Sequence, residues 1–435
     1  MNPLALDLNK TICSVNPIVY EMLSELGKRI YFPSNGILSQ AADAKKYAKR
    51  FNATIGTALE NGEAMHLDCV MSSLSDMTPN EVLLYAPSSG LLDLRKGWQK
   101  KELYDNPKLE GKGCSLPIVT SGLSHALSLV SDLFVDPNDL ILIPTMNWDN
   151  YYLNLFDRCR ANIQYFNFFK EGGFDLDAYK EALDGVPVGG KVVSLLNFPN
   201  NPSGYTPTET EGEQIAASLI ATAERGVNVV SIIDDAYYGL FFEKNLLTQS
   251  LFCKIADKHP RLMAIKADAA TKEAYVWGLR VGFVTFSIGG VPSGSPLYKA
   301  LEQKAAGVIR STISNCSALS QRVILKAITN PDFFTQRTAK AEIMKERAFK
   351  VKEVLQKGQY DSEFKAYPFN SGYFMCLCIK NVNAEKLRQH LLHEYGIGTI
   401  AITDTNLRIA FSCIEKEQIA ELFSLIFKAC KDLTA

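Results

Sequence analysis

The chain has 435 residues and a formal net charge of −1, and 47% of its residues are hydrophobic while 21% are charged. These values are ordinary for a globular protein, and the length exceeds what one hydrophobic core usually supports, so we expect two domains. The near-neutral charge argues against a nucleic-acid partner, and the apolar runs are too short for a membrane-spanning helix.

The first part of the chain, residues 1–75, contains helix-like pieces, and we expect it to pack with the small C-terminal domain. Its first ten residues lack the basic and apolar regions of a signal peptide, so we expect a cytoplasmic protein. The ten cysteines are scattered and form no CxxC pair, which is typical of reduced thiols in that compartment. The five histidines lack the spacing of metal ligands, so no metal site is expected.

The middle of the chain alternates apolar, strand-like runs with helix-like segments. Strand-like runs lie at 140–144, 191–196 and 227–233, and a helix-like stretch at 209–225 separates the last two. Buried strands that alternate with helices indicate a mostly parallel sheet covered on both faces. We therefore expect an α/β large domain, residues 76–325, which binds its ligand at the carboxyl ends of the strands.

Helix-like and strand-like segments are mixed in the remainder of the chain. The helix-like segments are 296–309, 331–357, 384–395 and 416–433, and the strand-like segments are 374–379 and 407–411. This mixture predicts a smaller α+β domain, residues 326–435.

Three motifs lie at or near the ends of the predicted strands. Residues 197–204 (Asn-Phe-Pro-Asn-Asn-Pro-Ser-Gly) predict a stiff turn whose asparagines present amide groups to a ligand. Residues 234–237 (Asp-Asp-Ala-Tyr) place two carboxylates at a strand end, where a carboxylate can meet a ligand. The alternative is a helix N-cap, and with two aspartates both roles can be filled. Lys272 precedes Arg280 by eight residues, and a glycine two residues to each side of the arginine lets the backbone approach a ligand. Each motif alone also fits a purely structural role.

In this order the three motifs resemble those of the class I/II aminotransferases, the aspartate aminotransferase superfamily with the pyridoxal 5'-phosphate (PLP) fold type I. The resemblance implies that Lys272 binds the PLP cofactor covalently and serves as general acid/base. It implies that Asp234 pairs with the pyridine nitrogen, and that Tyr237 and Asn201 donate hydrogen bonds to the phenolic oxygen. Arg280 matches the arginine that grips the phosphate.

A further segment, residues 120–127, resembles the phosphate cup of the same family. Gly122, Leu123 and Ser124 are expected to bind the phosphate there, through the amides of the last two residues and the Ser124 hydroxyl. Such a place at the start of a helix suits an anion, because free N–H groups and the helix dipole both point at it.

One position departs from the family pattern. Many members have a phosphate-binding serine three residues before the lysine, and here that residue is Ala269. Thr271 or another group would have to supply the missing hydrogen bond. Lys266 is a nearby rival for the role of Lys272, but it precedes Arg280 by fourteen residues rather than eight, so we reject it.

Two aromatic residues are assigned through the resemblance. Trp148, in the segment 148–151, matches the residue that stacks on the cofactor ring, and its alternative is a place in the hydrophobic core. Tyr85, in the segment 85–91, matches the tyrosine that reaches the phosphate of the neighbouring subunit. That match implies a homodimer with shared active sites.

The resemblance also suggests how a substrate is held. Arg408 matches the small-domain arginine that binds the α-carboxylate, and Asn201 is expected beside it; the alternative for Arg408 is an exposed arginine on an edge strand. Arg310 matches the arginine with which dicarboxylate-specific members bind the side-chain carboxylate from the other subunit. The alternative for Arg310 is an arginine that caps the carbonyls at a helix end.

We therefore expect an aminotransferase that moves an amino group from an L-amino acid, aspartate-like or of broad range, to a 2-oxo acid such as 2-oxoglutarate. A PLP-dependent lyase on the same fold would share all the cofactor residues and stays open. A PLP-binding regulatory domain is a weaker alternative, because the residues before Tyr85 are too few and not basic enough for a DNA-binding module with a linker.

Overall fold

The computed structural model describes residues 1–32, 36–75 and 77–434. Within these residues, seven strands form a central sheet. In sheet order they are Ile118–Thr120, Gly282–Ile288, Leu262–Ala269, Asn228–Asp234, Lys191–Asn197, Leu140–Pro144 and Asn162–Phe166. Gly282–Ile288 pairs antiparallel with both of its neighbours, and the other pairs are parallel. The predicted mostly parallel sheet is confirmed.

The central strands pack side chains on both faces of the sheet. In one strand, Val193 and Leu195 belong to one hydrophobic core, and Val192 and Leu196 belong to a second one. Neighbouring residues of a strand point to opposite faces, so the two cores lie on opposite sides of the sheet. Burial of both faces explains why these strands are apolar throughout instead of alternating with polar residues.

Helices cover both faces of the central sheet. The helix Leu123–Phe134 packs its apolar side chains into the first core, and Glu209–Glu224 packs into the second. The second of these begins with a capping box, in which Thr208 Oγ1 accepts from the amide of Glu211 at 3.2 Å and Glu211 Oε2 accepts from the amide of Thr208 at 2.7 Å. The box satisfies two amides at the helix start and fixes where the helix begins.

The helices of the described chain have the following bounds. They are Pro3–Val15, Pro17–Met22, Glu25–Arg29, Ile37–Tyr47, Asp68–Ser72, Pro79–Val82, Leu92–Asp105, Leu123–Phe134, Leu176–Asp184, Glu209–Glu224, Phe252–Ile255, Ala270–Glu273, Pro296–Thr312, Ala318–Thr329, Phe333–Leu355, Ala384–Tyr395 and Ile419–Asp432. A π-helix, Tyr152–Arg158, and the short 3-10 helices Pro107–Leu109, Phe411–Cys413 and Lys416–Gln418 complete them. None of the helices described in these ranges is long and apolar enough to cross a bilayer.

A second, antiparallel sheet lies in the C-terminal part. Its described strands, in sheet order, are Phe364–Ala366, Phe374–Ile379, Asn406–Ala410 and Ile400–Ala401. Two-stranded pairs join Phe51–Asn52 to Ile397–Gly398, Leu59–Glu60 to Glu63–Ala64, and Phe169–Lys170 to Gly173–Phe174. The first of these pairs ties the N-terminal segment to the C-terminal part of the chain.

Candidate active site

A cavity of about 260 Å³ lies at the carboxyl edge of the central sheet. Asn197 and Asp234 end two neighbouring strands, pair in register and both line this cavity. Lys272 reaches it from a short helix after the next strand, and Arg408 reaches it from the C-terminal sheet. Five further residues of the predicted site also line it, namely Asn201, Tyr237, Leu123, Trp148 and Arg280.

The carboxylate of Asp234 is buried and held by hydrogen bonds. The hydroxyl of Tyr151 donates to Oδ2, and the amide of Ala236 donates to Oδ1 at 3.0 Å. Burial raises the pKa of Asp234, although the Tyr151 hydrogen bond and the charge of Lys272 lower it. A cationic ring nitrogen beside the carboxylate would offset the cost of burial, so this end of the cavity fits a protonated pyridine.

The alternative role for the two adjacent aspartates, a helix cap, is excluded because no helix begins directly after them. The residues after Asp234 form a turn, in which its own carboxylate accepts the amide of Ala236. The Asp235 side chain points elsewhere and lies 3.3 Å from Nζ of Lys266, where it is 2% exposed. The sequence does not distinguish this buried ion pair from a cap, because both roles require a carboxylate at the strand end.

The amino group of Lys272 lies 4.7 Å from the centre of the Tyr237 ring. Removal from water lowers the pKa of Lys272 to about 8, with Asp234 acting to raise it and Arg280 to lower it. An appreciable fraction of this lysine is therefore unprotonated near neutral pH, as a nucleophile toward an aldehyde must be. For the rival Lys266, burial lowers the pKa but three close carboxylates raise it well above its ordinary value, which keeps that lysine charged.

Arg408 is oriented by contacts on both sides of its guanidinium. Nη1 donates to Oδ1 of Asn201 at 2.9 Å, and Nη2 donates to the carbonyl of Thr54 at 2.8 Å. The group lies 4.2 Å from the centre of the Phe374 ring. In the described part of the chain, its Nε is buried without a partner, so the arginine retains donor capacity for a carboxylate. Arg408 is 2% exposed, which excludes its alternative as an exposed arginine.

The opposite end of the cavity is built for an anion. Gly122 has a φ of 75° and directly precedes the helix Leu123–Phe134, whose first amides have no acceptor within the helix. A Cβ at Gly122 would lie 2.5 Å from Nη2 of Arg280, so only glycine lets the guanidinium approach this helix start. The guanidinium and the free amides together fit a phosphate group.

Two buried polar atoms support the same fit. Among the described residues, Thr271 Oγ1 and Trp277 Nε1 are buried and lack a hydrogen-bond partner, and both residues line the cavity. Buried polar groups are nearly always paired, so these two atoms indicate a ligand. Ala269 is buried as well and offers no polar side chain, which leaves the Thr271 hydroxyl as the nearby replacement for the usual serine. The residues present therefore fit PLP.

Four predicted residues have a different relation to the cavity. Ser124 and Trp148 line an adjoining cavity of about 1010 Å³, and Trp148 lies between the two. The Trp148 ring packs edge-on at 5.6 Å from that of Tyr151 and is partly buried, so it is not a central core residue.

The other two residues, Tyr85 and Arg310, lie on the surface. Tyr85 is 91% exposed, and Arg310 is exposed with Nη1 donating to Ser314 Oγ at 2.6 Å. Within one chain, the structure does not bring Tyr85 or Arg310 to the site.

Several residues that shape the site carry no strong signal in the sequence. Tyr151 lies in the segment singled out for Trp148, but its hydrogen bond to Asp234 spans 83 residues of sequence. Thr54, whose carbonyl holds Arg408, is 354 residues away from it in the chain. Asn197 begins the first motif, and its side chain accepts the amide of Asn201 at 2.7 Å. The position of Asn197 at a strand end was the one available clue.

Comparison with known proteins decides the family. The sequence model of the family "aminotransferase class I and II" matches residues 53–426. The chain belongs to this family. Class I and II aminotransferases are PLP-dependent enzymes, so the family agrees with the resemblance carried by the three motifs and with the fit of the cavity.

Two curated aminotransferases are similar to part of the chain. A probable aspartate/prephenate aminotransferase of Aquifex aeolicus is 26% identical over 254 residues, which make up 57% of this chain and 57% of that protein. A probable N-acetyl-LL-diaminopimelate aminotransferase of Bacillus subtilis is 27% identical over 254 residues, 57% of this chain and 56% of that one. The chain thus spans a little over half the length of these curated relatives.

Solved aminotransferases share the fold over nearly the whole chain. An aminotransferase from Anaerococcus prevotii superposes with a TM-score of 0.79 and 23% identity, over 94% of this chain and 99% of that chain. At this identity the likeness concerns the fold. It confirms the expected PLP fold type I, an α/β architecture with a mostly parallel sheet.

Proposed function

We propose that the protein is a PLP-dependent aminotransferase that moves an amino group from an L-amino acid to a 2-oxo acid. The observation that carries the proposal is the cavity in which Lys272 lies between the buried carboxylate of Asp234 and the anion-binding end formed by Arg280. Arg408 adds a donor for a substrate carboxylate at the same place. When bound, PLP withdraws electrons from the substrate and so weakens its Cα–H bond.

The cofactor would be held by groups at both ends of the cavity. Asp234 would pair with the ring nitrogen, and its hydrogen bonds from Tyr151 and Ala236 keep the carboxylate in place. The phosphate would be bound at the other end by a separate set of residues. That set is Gly122, Leu123, Ser124, Thr271 and Arg280. Tyr237 and Asn201 would donate to the phenolic oxygen, and Trp148 would pack on the ring.

In the reaction, Lys272 Nζ would take the proton from the substrate Cα. Its pKa of about 8 suits this task, because a general base works best when its pKa lies near the working pH. Burial is the main cause of the low pKa, so water that enters the cavity would weaken the base. Closure of the cavity around a substrate would preserve this low pKa.

Replacing Arg408 by lysine is expected to lower kcat/KM about 100-fold, mostly through a higher KM, since lysine cannot bind both oxygens of a carboxylate in the fork geometry of arginine. Steady-state kinetics with a saturable amino donor measures the change. Arg388→Lys is the matched control, because Arg388 is a buried arginine that makes two 2.7 Å hydrogen bonds to Glu385 outside the cavity lining. Equal losses in the two variants would contradict the proposed role of Arg408.

A substrate panel tests the proposed reaction directly. Each amino acid is offered with 2-oxoglutarate as acceptor, and the formation of glutamate is followed. We expect glutamate to form in step with loss of the amino donor. A lyase on the same fold would instead release ammonia and a 2-oxo acid from one amino acid without an acceptor, and that result would replace the aminotransferase proposal.

We further propose that the protein is a cytoplasmic homodimer with shared sites. All ten cysteines are free thiols, which is usual in a reducing compartment. Leu83, Leu84 and Tyr85 are 78%, 63% and 91% exposed, and an exposed apolar run of this kind is typical of a protein interface. Tyr85 would then reach the phosphate in the partner subunit, as the resemblance implies.

Arg310 would likewise act on the partner's site, where it would bind the side-chain carboxylate of an acidic substrate. Arg310→Ala is therefore expected to lower kcat/KM about 10- to 100-fold for aspartate and glutamate, and little for alanine and phenylalanine. Lys304→Ala is the control, because Lys304 is an exposed cation on the same helix, Pro296–Thr312. An equal loss for all four substrates would count against this role and for a helix-capping arginine.

A further inference from the structure

Behind the cavity, the residue that follows Lys272 enters a group of buried ion pairs. The carboxylate of Glu273 contacts both Lys101 and Arg337, and its side chain is 3% exposed. Asp105 contacts the same two cations, at 3.0 Å from Lys101 and 2.7 Å from Arg337. Glu273 is therefore held between two cations that a second carboxylate fixes in turn.

The residue that follows Asp234 is held in a similar way. Asp235 lies 3.3 Å from Nζ of Lys266, and the same Nζ lies 2.7 Å from Oδ2 of Asp268. That oxygen also accepts a hydrogen bond from the indole of Trp98 at 2.9 Å. Asp235 is thus anchored through a lysine whose own place is fixed by neighbours.

One carboxylate connects the ion pairs of Glu273 with those of Asp235. Glu102 lies 3.3 Å from Nζ of Lys101 and 2.9 Å from Nζ of Lys266. A continuous path of charge contacts therefore runs from Glu273 to Asp235. We name the five residues of this path, Glu273, Lys101, Glu102, Lys266 and Asp235, the rear network. Each of their side chains is at most 7% exposed.

The rear network is poorly explained as a source of stability alone. Buried ion pairs lose most of their attraction to the cost of desolvation, and apolar residues of the same size often stabilise a fold equally well. A buried charge that loses its partner is strongly destabilising, so each pair opposes displacement of the groups that it joins. In this protein the ion pairs hold the two residues that directly follow Asp234 and Lys272 in the chain.

We propose that Glu273 and Asp235 are positioning residues, which act through the rear network to hold Lys272 and Asp234 at a fixed separation across the cavity. The inference rests on the proposed function in taking these two groups as the reactive pair. None of the five residues of the rear network lines the cavity.

The proposal predicts the sign of one measurable shift. Among the described residues, the charged and titratable groups beside Lys272 are Asp234, Arg280 and Tyr237, together with Tyr373, whose hydroxyl donates to the Lys272 carbonyl at 3.3 Å. Glu273→Gln removes a nearby negative charge, and that change by itself lowers the pKa of a lysine. If Lys272 is no longer held in place, water reaches its amino group, and that change raises its pKa from about 8 towards the ordinary value of 10.5. The lost charge and the entry of water therefore shift the pKa of Lys272 in opposite directions.

The experiment uses the whole 435-residue chain without cofactor. Lys272 is acetylated with acetic anhydride in short pulses across a range of pH, and its labelled peptide is quantified by mass spectrometry. We expect a midpoint near pH 8 for the wild type, and for Glu273→Gln a rise large enough to slow labelling at pH 8 about threefold or more. Glu363→Gln is the matched control, because Glu363 is 2% exposed and paired with Lys431 away from the cavity.

Two further variants sharpen the test. In Glu273→Gln combined with Asp235→Asn, the shift should be smaller than the sum of the single shifts, because both substitutions release one network. Arg337→Lys keeps the charge and loses the forked contacts, so it should fold and give a smaller rise even where Glu273→Gln does not fold.

The outcomes separate the two proposals. An unchanged or lower midpoint in Glu273→Gln, or in Arg337→Lys where Glu273→Gln does not fold, would overturn the positioning role, and additive shifts would overturn the shared network. Neither result tests the proposed aminotransferase reaction, because the substrate panel with wild-type protein decides that reaction by itself.

Discussion

Lys272→Ala is expected to lower kcat by about 10⁴-fold, the upper end of the usual contribution of a general acid/base, because the variant loses the group that moves the substrate proton. It should also lose the visible absorbance that marks a cofactor bound covalently to the protein. Turnover of the best amino donor and an absorbance spectrum of cofactor-saturated protein measure both effects. Normal turnover in this variant would refute the assignment of Lys272.

A chemical rescue separates lost chemistry from lost structure. A small amine such as methylamine is expected to restore part of the turnover of Lys272→Ala, because it can enter the space left by the side chain and act as the base. Lys272→Arg should be inactive and respond less, since arginine fills the space and stays protonated. Failure of rescue together with a large fall in Tm would indicate a structural defect instead.

Asp234→Ala is expected to retain some PLP but to lower kcat about 100- to 1000-fold, the usual effect of removing one group that stabilises charge in an active site. The rate is expected to fall because the ring nitrogen would lose the carboxylate that keeps it protonated. Turnover at saturating cofactor, with cofactor content measured on the same sample, gives the loss per occupied site.

Tyr151→Phe is the graded companion of this variant. It removes the hydroxyl that donates to Asp234 Oδ2 and leaves the carboxylate in place. We expect a loss of about 10-fold, in keeping with one hydrogen bond to a charged group. Near-normal kinetics for Asp234→Ala would remove the carboxylate from the mechanism, whatever the result for Tyr151→Phe.

The parts of the fold that follow from local pattern could be predicted. The apolar run at 140–144 is the strand Leu140–Pro144, and the helical pattern at 384–395 is the helix Ala384–Tyr395. Residues that end regular structure bound both elements, so the first and last residues of each follow from the local sequence. The strand Gly282–Ile288 is absent from the predicted elements, because its pattern directly follows the glycines around Arg280 and its direction depends on sheet partners.

The candidate site likewise has residues that the local sequence predicts and contacts that depend on the folded chain. Asp234 ends a buried strand and Asn201 follows four residues after the end of the neighbouring strand, so both could be identified because the sheet places strand ends at one edge. The contact of Thr54 with Arg408 depends on how the N-terminal segment meets the C-terminal sheet, and no local pattern encodes it. The ion pairs of Glu273 were hidden for a similar reason, since an acidic residue beside a lysine usually indicates a solvated surface.

The covalent link between Lys272 and PLP is the central claim, and reduction with borohydride tests it most directly. The cofactor-saturated protein is reduced, digested and mapped by mass spectrometry to find the residue that carries the cofactor. We predict a single labelled peptide with the modification on Lys272. A label on another lysine, or no label in protein shown to hold the cofactor, would contradict the claim.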